Sequence, residues 1–342
     1  MQKTIKQIAP KKIDKKSTIY QKNRVTTGSD QTKIKLMEKK KTYSQHAISG
    51  LAICLLIMIN INLVAQETVN TDSMAPAPTV KKKAIKNTFE SNWIQDNQSV
   101  MVPIKGTFEM DIQHRFGNVT KGYKDLYGIY APSNIRIGLS YVVMDKFQLG
   151  AGFTKDRLQW DINGKYAIVK QNKTGGFPIS ISWFSNIVID TRGKENFVTN
   201  GDRISYFHQL LIARKISDKF SVQIAPSIAH FNNIEGFLDT DGKIQAKMNN
   251  DHFAVAFMGR YKITPKTNLM INYDQPLTQH PMNNPHPNIS FGLEFVTSAH
   301  AFQVFAGNYH NIIPQSNAFF NQNDLTEGQF AIGFNITRLW NF

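Results

Sequence analysis

Residues 328–342, GQFAIGFNITRLWNF, are the stretch of sequence that decides the fold. Large apolar side chains at Phe330, Ile332 and Phe334 alternate with the small or polar side chains of Ala331, Gly333 and Asn335. This alternation, with a period of two, predicts a β-strand with one apolar face and one small, polar face. The strand is long enough to cross a bilayer, which takes about 9–11 tilted residues.

The apolar face of this strand continues through Trp340 to Phe342, the last residue. A terminal aromatic residue on such a face resembles the closing strand of Gram-negative outer-membrane barrels, where the terminal Phe belongs to the assembly signal. We therefore assign Trp340 and Phe342 to an assembly signal for the barrel assembly machinery. If this strand closes a barrel, the preceding chain has to supply its partner strands.

The period-two alternation is almost unbroken from residue 106 onward. In the second segment, for example, Ile135 and Ile137 share one face and Arg136 lies on the other. Twelve candidate strands lie near residues 106–116, 133–144, 146–155, 157–170, 176–190, 203–215, 218–231, 251–263, 267–276, 287–297, 300–309 and 328–342. The pattern predicts an all-β fold, a closed antiparallel up-and-down transmembrane β-barrel of about 12 strands.

The connections between these strands alternate in length. The connections after strands two, six, eight and ten are tight, whereas residues 232–250 and 310–327 form long polar loops. Outer-membrane barrels combine short periplasmic turns with long extracellular loops in this way. A short outer turn around Asp156 departs from the rule. The alternative, a secreted β-sandwich, explains the side-chain alternation but not the loop asymmetry, and it would leave aromatic-rich edge strands unprotected.

The chain before residue 106 divides into four segments. Residues 1–36 show no periodicity, and we predict that they are an over-extended start that precedes the true start at Met37. Residues 37–65 have the charged start, short apolar core and small-residue cleavage site of a signal peptide. The apolar core is too short for a spanning helix, which takes about 20 residues. We predict a disordered tether over 66–88, a periplasmic segment over 89–105 that packs in the barrel's periplasmic mouth, and the barrel over 106–342.

Most of the formal net charge of +15 lies in the segments that we expect to be removed. Residues 1–66 carry 13 Lys and Arg against 3 Asp and Glu, and the rest of the chain carries 27 against 22. A nucleic-acid partner inferred from the high charge would therefore rest on residues absent from the mature protein. The single cysteine, Cys54, lies in the predicted signal peptide, so we expect neither disulfides nor thiol chemistry.

Charged residues fall on the faces opposite the apolar ones, where they would line the interior of the barrel. The lumen-lining candidates are Glu109, Asp111, Arg115, Arg136, Asp161, Lys165, Arg260, Asp274 and Glu294. One interpretation is a paired ionic network that fills a narrow interior, because unpaired charges are costly at low dielectric. The other interpretation is a polar pore lining. Because acids and bases nearly balance, we expect no strong ion selectivity in either case.

No pattern in the sequence predicts a metal site, a cofactor or an active site. His280 and His286 flank a proline-containing loop, but their spacing matches no metal-binding pattern. Some outer-membrane barrels are lipid hydrolases with a serine–histidine pair on the outer wall. Ser205 and His208 share one strand but have opposite parities, so they cannot face each other. We therefore expect no enzyme activity, no metal and no cofactor.

Four segments carry a resemblance to a known family: IQHRFG at 112–117, APSNIR at 131–136, YDQPLT at 273–278 and NITRLWNF at 335–342. Over about residues 88–342 the chain resembles a Gram-negative outer-membrane β-barrel family of unknown function. The resemblance implies the fold and a location in outer-membrane lipid, but no activity and no catalytic residues. We expect passive transport or binding of a small polar solute. The alternatives are a structural or docking protein for surface or periplasmic partners, and a barrel-embedded lipid hydrolase.

Overall fold

The computed structural model of the chain describes residues 84–173 and 176–341, and twelve of its strands form one closed barrel. The barrel strands are β1 Thr107–Asn118, β2 Asn134–Met144, β3 Phe147–Thr154, β4 Gln159–Val169, β5 Ser180–Asp190, β6 Ile204–Lys215, β7 Phe220–Phe231, β8 Asp251–Thr264, β9 Thr267–Pro276, β10 Asn288–Val296, β11 His300–Gly307 and β12 Ala331–Asn341. Sequence neighbours pair antiparallel, and β12 closes the barrel by pairing with β1. The predicted closed 12-stranded barrel is confirmed, with strand ends within a few residues of those expected.

The two ends of the barrel differ in the length of their connections. At the terminal end, where β1 begins and β12 ends, tight turns follow β2, β6, β8 and β10, and the connection between β4 and β5 is longer in sequence. At the opposite end, called the loop end below, long connections span residues 119–133, 191–203, 232–250, 277–287 and 308–330. Residues 155–158 form a short turn there, so the expected exception near Asp156 is present. The asymmetry between the two ends therefore follows the pattern that the sequence indicated.

The loop end also contains short strands and a short helix. Gly236–Leu238 pairs with Ile244–Ala246 as a small hairpin in the connection between β7 and β8. Helix α1, Pro314–Phe320, lies in the connection between β11 and β12. Across the described ranges, no helix has the length and apolar character needed to span a membrane. The predicted start segment 1–36, the signal peptide 37–65 and most of the tether 66–88 lie outside the described residues.

The inner and outer faces of the wall have opposite chemistry. In β4, the side chain of Ile162 is 62 % exposed on the outer face, whereas its neighbour Asp161 is 1 % exposed on the inner face. Trp160, Ile271 and Phe291 are similarly exposed on the outside. Soluble monomers rarely expose contiguous apolar patches of more than a few hundred Å². An apolar band around the whole barrel therefore indicates a lipid surrounding.

Residues 88–102, called the plug below, pass through the interior of the barrel. Residues 91–100 are all buried, although none of them belongs to a wall strand. Trp93–Ile94 pairs antiparallel with Asn97–Gln98, so the plug is a short hairpin. The sequence placed residues 89–105 in the periplasmic mouth. In the structure, residues 91–100 extend beyond the mouth and contact side chains on all sides of the lumen.

Candidate functional site

The tip of the plug is a tight turn at Gln95 and Asp96. Gln95 adopts a left-handed backbone conformation, with φ of 60°, which is uncommon for a residue other than glycine. The backbone N–H of Gln95 donates to Gln303 Oε1 at 3.2 Å, and its carbonyl accepts from Asn335 Nδ2 at 2.6 Å. Its side-chain Oε1 accepts from Ser290 Oγ at 2.7 Å. Three wall strands thus hold a turn that the plug sequence alone does not favour.

Every strand of the wall contacts the plug. Eleven strands do so through hydrogen bonds or an ion pair, contributed in chain order by Glu109, Gln148, Lys165, Ser182, Gln209, Gln223, Arg260, Asn272, Ser290, Gln303 and Asn335. The remaining strand, β2, contributes Arg136, whose guanidinium carbon lies 5.6 Å from the ring centroid of Trp93. The chain's own residues therefore fill the lumen at the level of the plug.

Amide side chains make many of the polar contacts between plug and wall. Asn97 Nδ2 donates to Asn272 Oδ1 at 3.1 Å and to Asp274 Oδ1 at 3.0 Å. Asn97 Oδ1 accepts from Gln209 Nε2 at 2.9 Å. Because an amide both donates and accepts, one side chain satisfies partners on several strands. Burying these polar groups without such partners would cost free energy for each of them.

An ion pair fastens the start of the plug near the terminal end. Glu90 Oε1 accepts from Arg260 NH1 at 2.9 Å and from Lys262 Nζ at 2.7 Å. Burial alone would raise the pKa of Glu90, but hydrogen bonds from Lys262 and Asn87 and the charge of Arg260 hold this pKa below its usual value. The Glu90 carboxylate is therefore ionised at neutral pH and compensates a buried guanidinium.

Arg136 forms a second ionic cluster within the wall itself. Its NH1 lies 2.7 Å from Asp111 Oδ1, and its Nε and NH2 each lie 2.8 Å from a carboxylate oxygen of Asp161. Gly138 and Gly152 make room for the guanidinium, because a Cβ at either position would collide with it. Charge-assisted, bidentate pairing of this kind offsets the cost of burying the three charges.

The nine predicted lumen residues lie on the inner wall, where most of them contact the plug or an amide. Glu109 accepts from Asn92, Lys165 donates to Gln98 and Ser99, Arg260 donates to Glu90, Asp274 accepts from Asn97, Glu294 accepts from Asn268 and Gln303, and Arg115 donates to Asn335. Asp274 is half-buried, and the other eight are buried. Among the described lumen residues, the ion pairs are those of Arg136 with two wall carboxylates and of Glu90 with Arg260 and Lys262.

The inner wall from β5 to β9 carries an apolar patch that the sequence interpretation did not include. Its larger side chains are those of Phe184, Phe207, Leu211, Met258 and Met270, and Phe89, Ile94 and Val100 of the plug belong to the same cluster. The sequence did indicate part of this patch, because Phe184 has the same parity as the inward-facing Ser182 and Asn186 in β5. Fully burying one such side chain stabilises by about 1.5–3 kcal/mol. The plug therefore has both a polar and an apolar anchor.

Helix α1 meets the tip of the plug from the loop end. Asn317 Nδ2 donates to Asp96 Oδ2 at 2.6 Å, and Phe319 is fully buried in the apolar cluster. Gln315 Nε2 lies 3.3 Å from Ser205 Oγ on β6 and donates to it. Pro314 at the first helical position supplies a fixed φ and lacks the N–H that would otherwise go unpaired. The lumen is thus occupied from both ends.

The residues assigned to the assembly signal lie at the seam of the barrel. The Trp340 ring on β12 lies 5.5 Å from the Phe108 ring on β1, centroid to centroid. The guanidinium carbon of Arg338 lies 4.8 Å from the Trp340 ring centroid. Phe342 lies outside the described residues. Of the two residues predicted to form the signal, the described one, Trp340, therefore makes an aromatic contact across the closing pair of strands.

The histidines do not assemble into a metal site in the described parts of the chain. His252 Nδ1 and His280 Nε2 lie 2.8 Å apart, whereas His286 is directed to Asp324 at 3.9 Å. No group of three or more His, Cys, Asp or Glu side chains within residues 84–173 and 176–341 is placed to hold a metal ion. The His252–His280 contact is therefore a side-chain pair within the barrel's loop end.

A serine–histidine contact does occur on the outer wall, but between strands. Ser205 faces the lumen, whereas His208 faces outward and its Nδ1 lies 2.9 Å from Ser185 Oγ on the neighbouring strand β5. Trp183 Nε1 donates to the same Oγ at 2.8 Å. Sequence reasoning missed this pair because it compared residues along one strand, and the register between two strands is not visible in the sequence.

Comparisons with known proteins place the chain in a family. The family model described as membrane bound beta barrel domain (DUF5777) matches residues 89–340. No curated protein matches the chain. Similar solved structures include the NanC porin (TM-score 0.41, 9 % identity, 69 % of this chain and 99 % of that chain) and an outer membrane channel from Pseudomonas putida F1 (0.43, 10 %, 70 % and 97 %). The KdgM porin is a third (0.40, 8 %, 67 % and 98 %).

At these TM-scores and identities, the three solved structures carry no argument about what this chain does. The family match rests on the sequence itself and extends over nearly the whole plug and all twelve wall strands. The chain belongs to the membrane bound beta barrel domain family, whose function is unknown.

Proposed function

We propose that this membrane-bound barrel resides in the outer membrane of a Gram-negative bacterium and transports small polar solutes passively after its plug leaves the lumen. One observation carries the proposal. The plug is no part of the wall. It joins β1 through residues 103–106, and its other contacts with the barrel are side-chain packing, hydrogen bonds and the ion pair of Glu90. Its departure would therefore break no hydrogen bond between wall strands.

The chemistry of the polar inner wall supports transport of an uncharged or weakly charged solute. Once the plug has left, the side chains of Gln209, Gln223, Asn272 and Gln303 would face water. Amides exchange hydrogen bonds with water and with hydroxyl-bearing solutes at little net cost. In the same space, the charge of Arg136 remains compensated by its two wall carboxylates. A lumen of this kind favours small polar solutes over strongly charged ones.

The second candidate function is a permanently closed barrel with a structural or docking role. The apolar patch on β5 to β9 favours it, because an open lumen would expose Phe184, Phe207 and Leu211 to water. In this case the plug is part of the core and stays in place. The two candidates differ in whether a barrel without the plug conducts solutes.

Swelling of liposomes that contain the refolded mature chain separates these candidates. We expect little influx of arabinose or glycine through the intact barrel and rapid influx when residues 84–104 are deleted. Asn97→Ala keeps the plug but removes its contacts with Asn272, Asp274 and Gln209, so an intermediate rate is expected. Asn200→Ala, at an exposed position between β5 and β6, is the matched control.

Two outcomes oppose transport and support the structural role. One is a plug-deleted barrel that keeps its heat-modifiable mobility on gels yet admits no solute. The other is an Asn97→Ala barrel that behaves like the Asn200→Ala control. The proposed route to the outer membrane, through cleavage after Ala65 and recognition of Phe342 by the assembly machinery, is tested separately by N-terminal sequencing and by Phe342→Asp.

A further inference from the structure

A cavity of about 400 Å³ opens at the loop end of the barrel. Residues from five connections line it, those between β3 and β4, β5 and β6, β7 and β8, β9 and β10, and β11 and β12. Its volume falls in the range of small-molecule sites, roughly 300–1,000 Å³. We call it the outer cavity. Its lining includes two arginines, two phenylalanines and two amides, namely Arg157, Arg203, Phe197, Phe320, Gln159 and Asn233.

Arg157 presents a guanidinium with free hydrogen-bond donors to the outer cavity. Its guanidinium carbon lies 4.7 Å from the ring centroid of Phe320, on the cavity wall. Within the described residues, this guanidinium forms neither a hydrogen bond nor a close ion pair, although its charge contributes to lowering the pKa of Glu235. A guanidinium carries five N–H donors and cannot lose its charge in a protein. The residue is held at a left-handed φ of 54°, in the short turn between β3 and β4.

Arg203 presents a second cation without a carboxylate partner among the described residues. Its guanidinium carbon lies 4.4 Å from the ring centroid of Phe197. Its NH1 donates to the carbonyl oxygens of Asp190 at 3.0 Å and Arg192 at 2.7 Å, which fixes the side chain in place. The outer cavity thus contains two arginines that each lie over a phenyl ring and have no close carboxylate partner among the described residues. A third, Arg192, lies 5.9 Å from the Phe197 centroid but is paired with Asp190.

The carboxylates that line the outer cavity are engaged elsewhere. Asp190 pairs with Arg192 at 2.7 Å, and Glu235 pairs with Lys247 at 2.8 Å. Asp202 accepts from the backbone N–H groups of Val198 and Thr199, and the bond from Thr199 lowers the pKa of Asp202. Asp202 therefore stays ionised but serves its own loop. Arg157 and Arg203 are left with capacity for an external anion.

We propose that the outer cavity binds a small organic carboxylate with a flat apolar body. Its carboxylate would accept hydrogen bonds from Arg157 and be attracted by Arg203, since guanidinium groups match the planar geometry of a carboxylate. Its flat body would lie against Phe197 and Phe320. Amides such as Gln159 and Asn233 would bind polar substituents on that body. No residue of the plug lines the outer cavity, so binding does not require the plug to move.

Isothermal titration of the refolded mature chain in detergent tests the site with three probes. 4-Hydroxybenzoate combines the carboxylate with a flat body, 4-hydroxybenzamide lacks the charge, and acetate lacks the body. We expect saturable binding of 4-hydroxybenzoate and binding about tenfold weaker or more for the other two. This factor corresponds to the loss of one charge-assisted hydrogen bond or of the stacked ring.

Substitutions test whether 4-hydroxybenzoate binds in the outer cavity. Arg157→Met and Arg203→Met keep the side-chain bulk and remove the charge, so each should weaken 4-hydroxybenzoate binding about tenfold or more. Lys194→Gln is the matched control, because Lys194 lies in the same connection as Arg203, is exposed and does not line the cavity. It should bind as the unmodified chain does. Heat-modifiable mobility on gels verifies that each variant is folded.

Three results would overturn the proposal. They are no saturable binding of 4-hydroxybenzoate to the folded chain, equal affinity for 4-hydroxybenzoate and 4-hydroxybenzamide, and equal weakening by Lys194→Gln and Arg157→Met. A plug-deleted barrel that fails to admit solutes would refute the transport proposal and leave this one intact. If the plug-deleted barrel admits solutes but the folded chain does not bind 4-hydroxybenzoate, the binding proposal is refuted and the transport proposal is left intact.

Discussion

Glu90 of the plug and Arg260 of β8 lie 2.9 Å apart, carboxylate oxygen to guanidinium nitrogen, and form the ionic contact between the plug and the wall. Lys262, two residues further along β8, contacts the same carboxylate oxygen at 2.7 Å. Beyond this point, the plug is held by hydrogen bonds, some of which involve the ionisable side chains of Glu109, Lys165 and Asp274, and by apolar packing. Glu90 therefore links the protonation of the plug to its retention near the terminal end of the barrel.

Acidification is expected to loosen the plug through Glu90. The pKa of Glu90 in the folded protein lies below the usual value of 4.5. A depressed pKa contributes stability that is fully present above the unfolded value and is lost as the pH falls through the folded value. The plug should therefore be well protected above pH 4.5 and less protected below it. Hydrogen exchange of residues 88–102 between pH 7 and pH 3 measures this change.

Glu90→Gln is the control for this pH dependence, because it keeps the shape of the side chain and removes the titrating group. Its plug should exchange faster than that of the unmodified chain at pH 7, and the difference should shrink as the pH falls. Identical exchange profiles for the two proteins would show that Glu90 does not anchor the plug.

Arg136→Leu is expected to destabilise the barrel strongly. The substitution leaves the carboxylates of Asp111 and Asp161 buried without their cation. Removing one partner of a buried ion pair typically costs about 3–5 kcal/mol. Urea unfolding of the barrel in lipid vesicles measures the loss. Arg338→Leu, on the exposed side of β12, is the control and should lower the free energy of unfolding far less. An equal loss in both variants would show that the ion pairs of Arg136 do not stabilise the barrel.

Gly152→Val is expected to disturb the same cluster from the neighbouring strand. A side chain at Gly152 collides with the guanidinium of Arg136, so the arginine has to leave its position between the two carboxylates. Overpacking of this kind typically costs about 1–3 kcal/mol. Gly164→Val in β4 is the matched control, because a Cβ there meets its neighbours at ordinary contact distances. Urea midpoints that fall equally in both variants would contradict the space-filling argument.

Ser185→Ala is expected to leave phospholipid hydrolysis at the background level of the unmodified barrel. Ser185 on β5 and His208 on β6 lie on the outer face of the wall, and Trp183 Nε1 donates a hydrogen bond to the serine oxygen. That the protein is not an enzyme remains a prediction, and this variant tests it. Release of fatty acid from vesicles, measured above background and abolished by Ser185→Ala, would establish the lipid hydrolase instead.

The wall could be predicted from the sequence, whereas the filling of the lumen could not. Alternating residues such as Ile135, Arg136 and Ile137 determine which face meets lipid, and this local rule was enough to identify all twelve strands. No such alternation predicts where the plug lies. Gln95 and Asn97 are ordered by partners on many strands, and those partners are brought together only when the barrel closes.

Pairing within the candidate site was also beyond the sequence. Parity alone assigned Arg136 to the interior, but the contact with Asp161 depends on β3 lying between their strands and on two glycines that free the space. The same limit applies to Ser185 and His208, whose contact follows from the register of β5 against β6. Long-range register, and not residue type, carried the missing information.

The current through single barrels carrying Ser182→Cys tests the central claim most directly. Ser182 is fully buried on the inner wall, and its Oγ donates to the carbonyl of Val100 in the plug at 2.7 Å. The chain's only native cysteine, Cys54, lies in the predicted signal peptide, so the new thiol would stand alone in the mature protein. We predict that the intact barrel carries no steady current and resists a charged methanethiosulfonate reagent, whereas deletion of residues 84–104 opens a current that the reagent reduces in a single step. A folded plug-deleted barrel without current, or equal modification of the thiol with and without the plug, would contradict the claim that the plug closes a transport lumen.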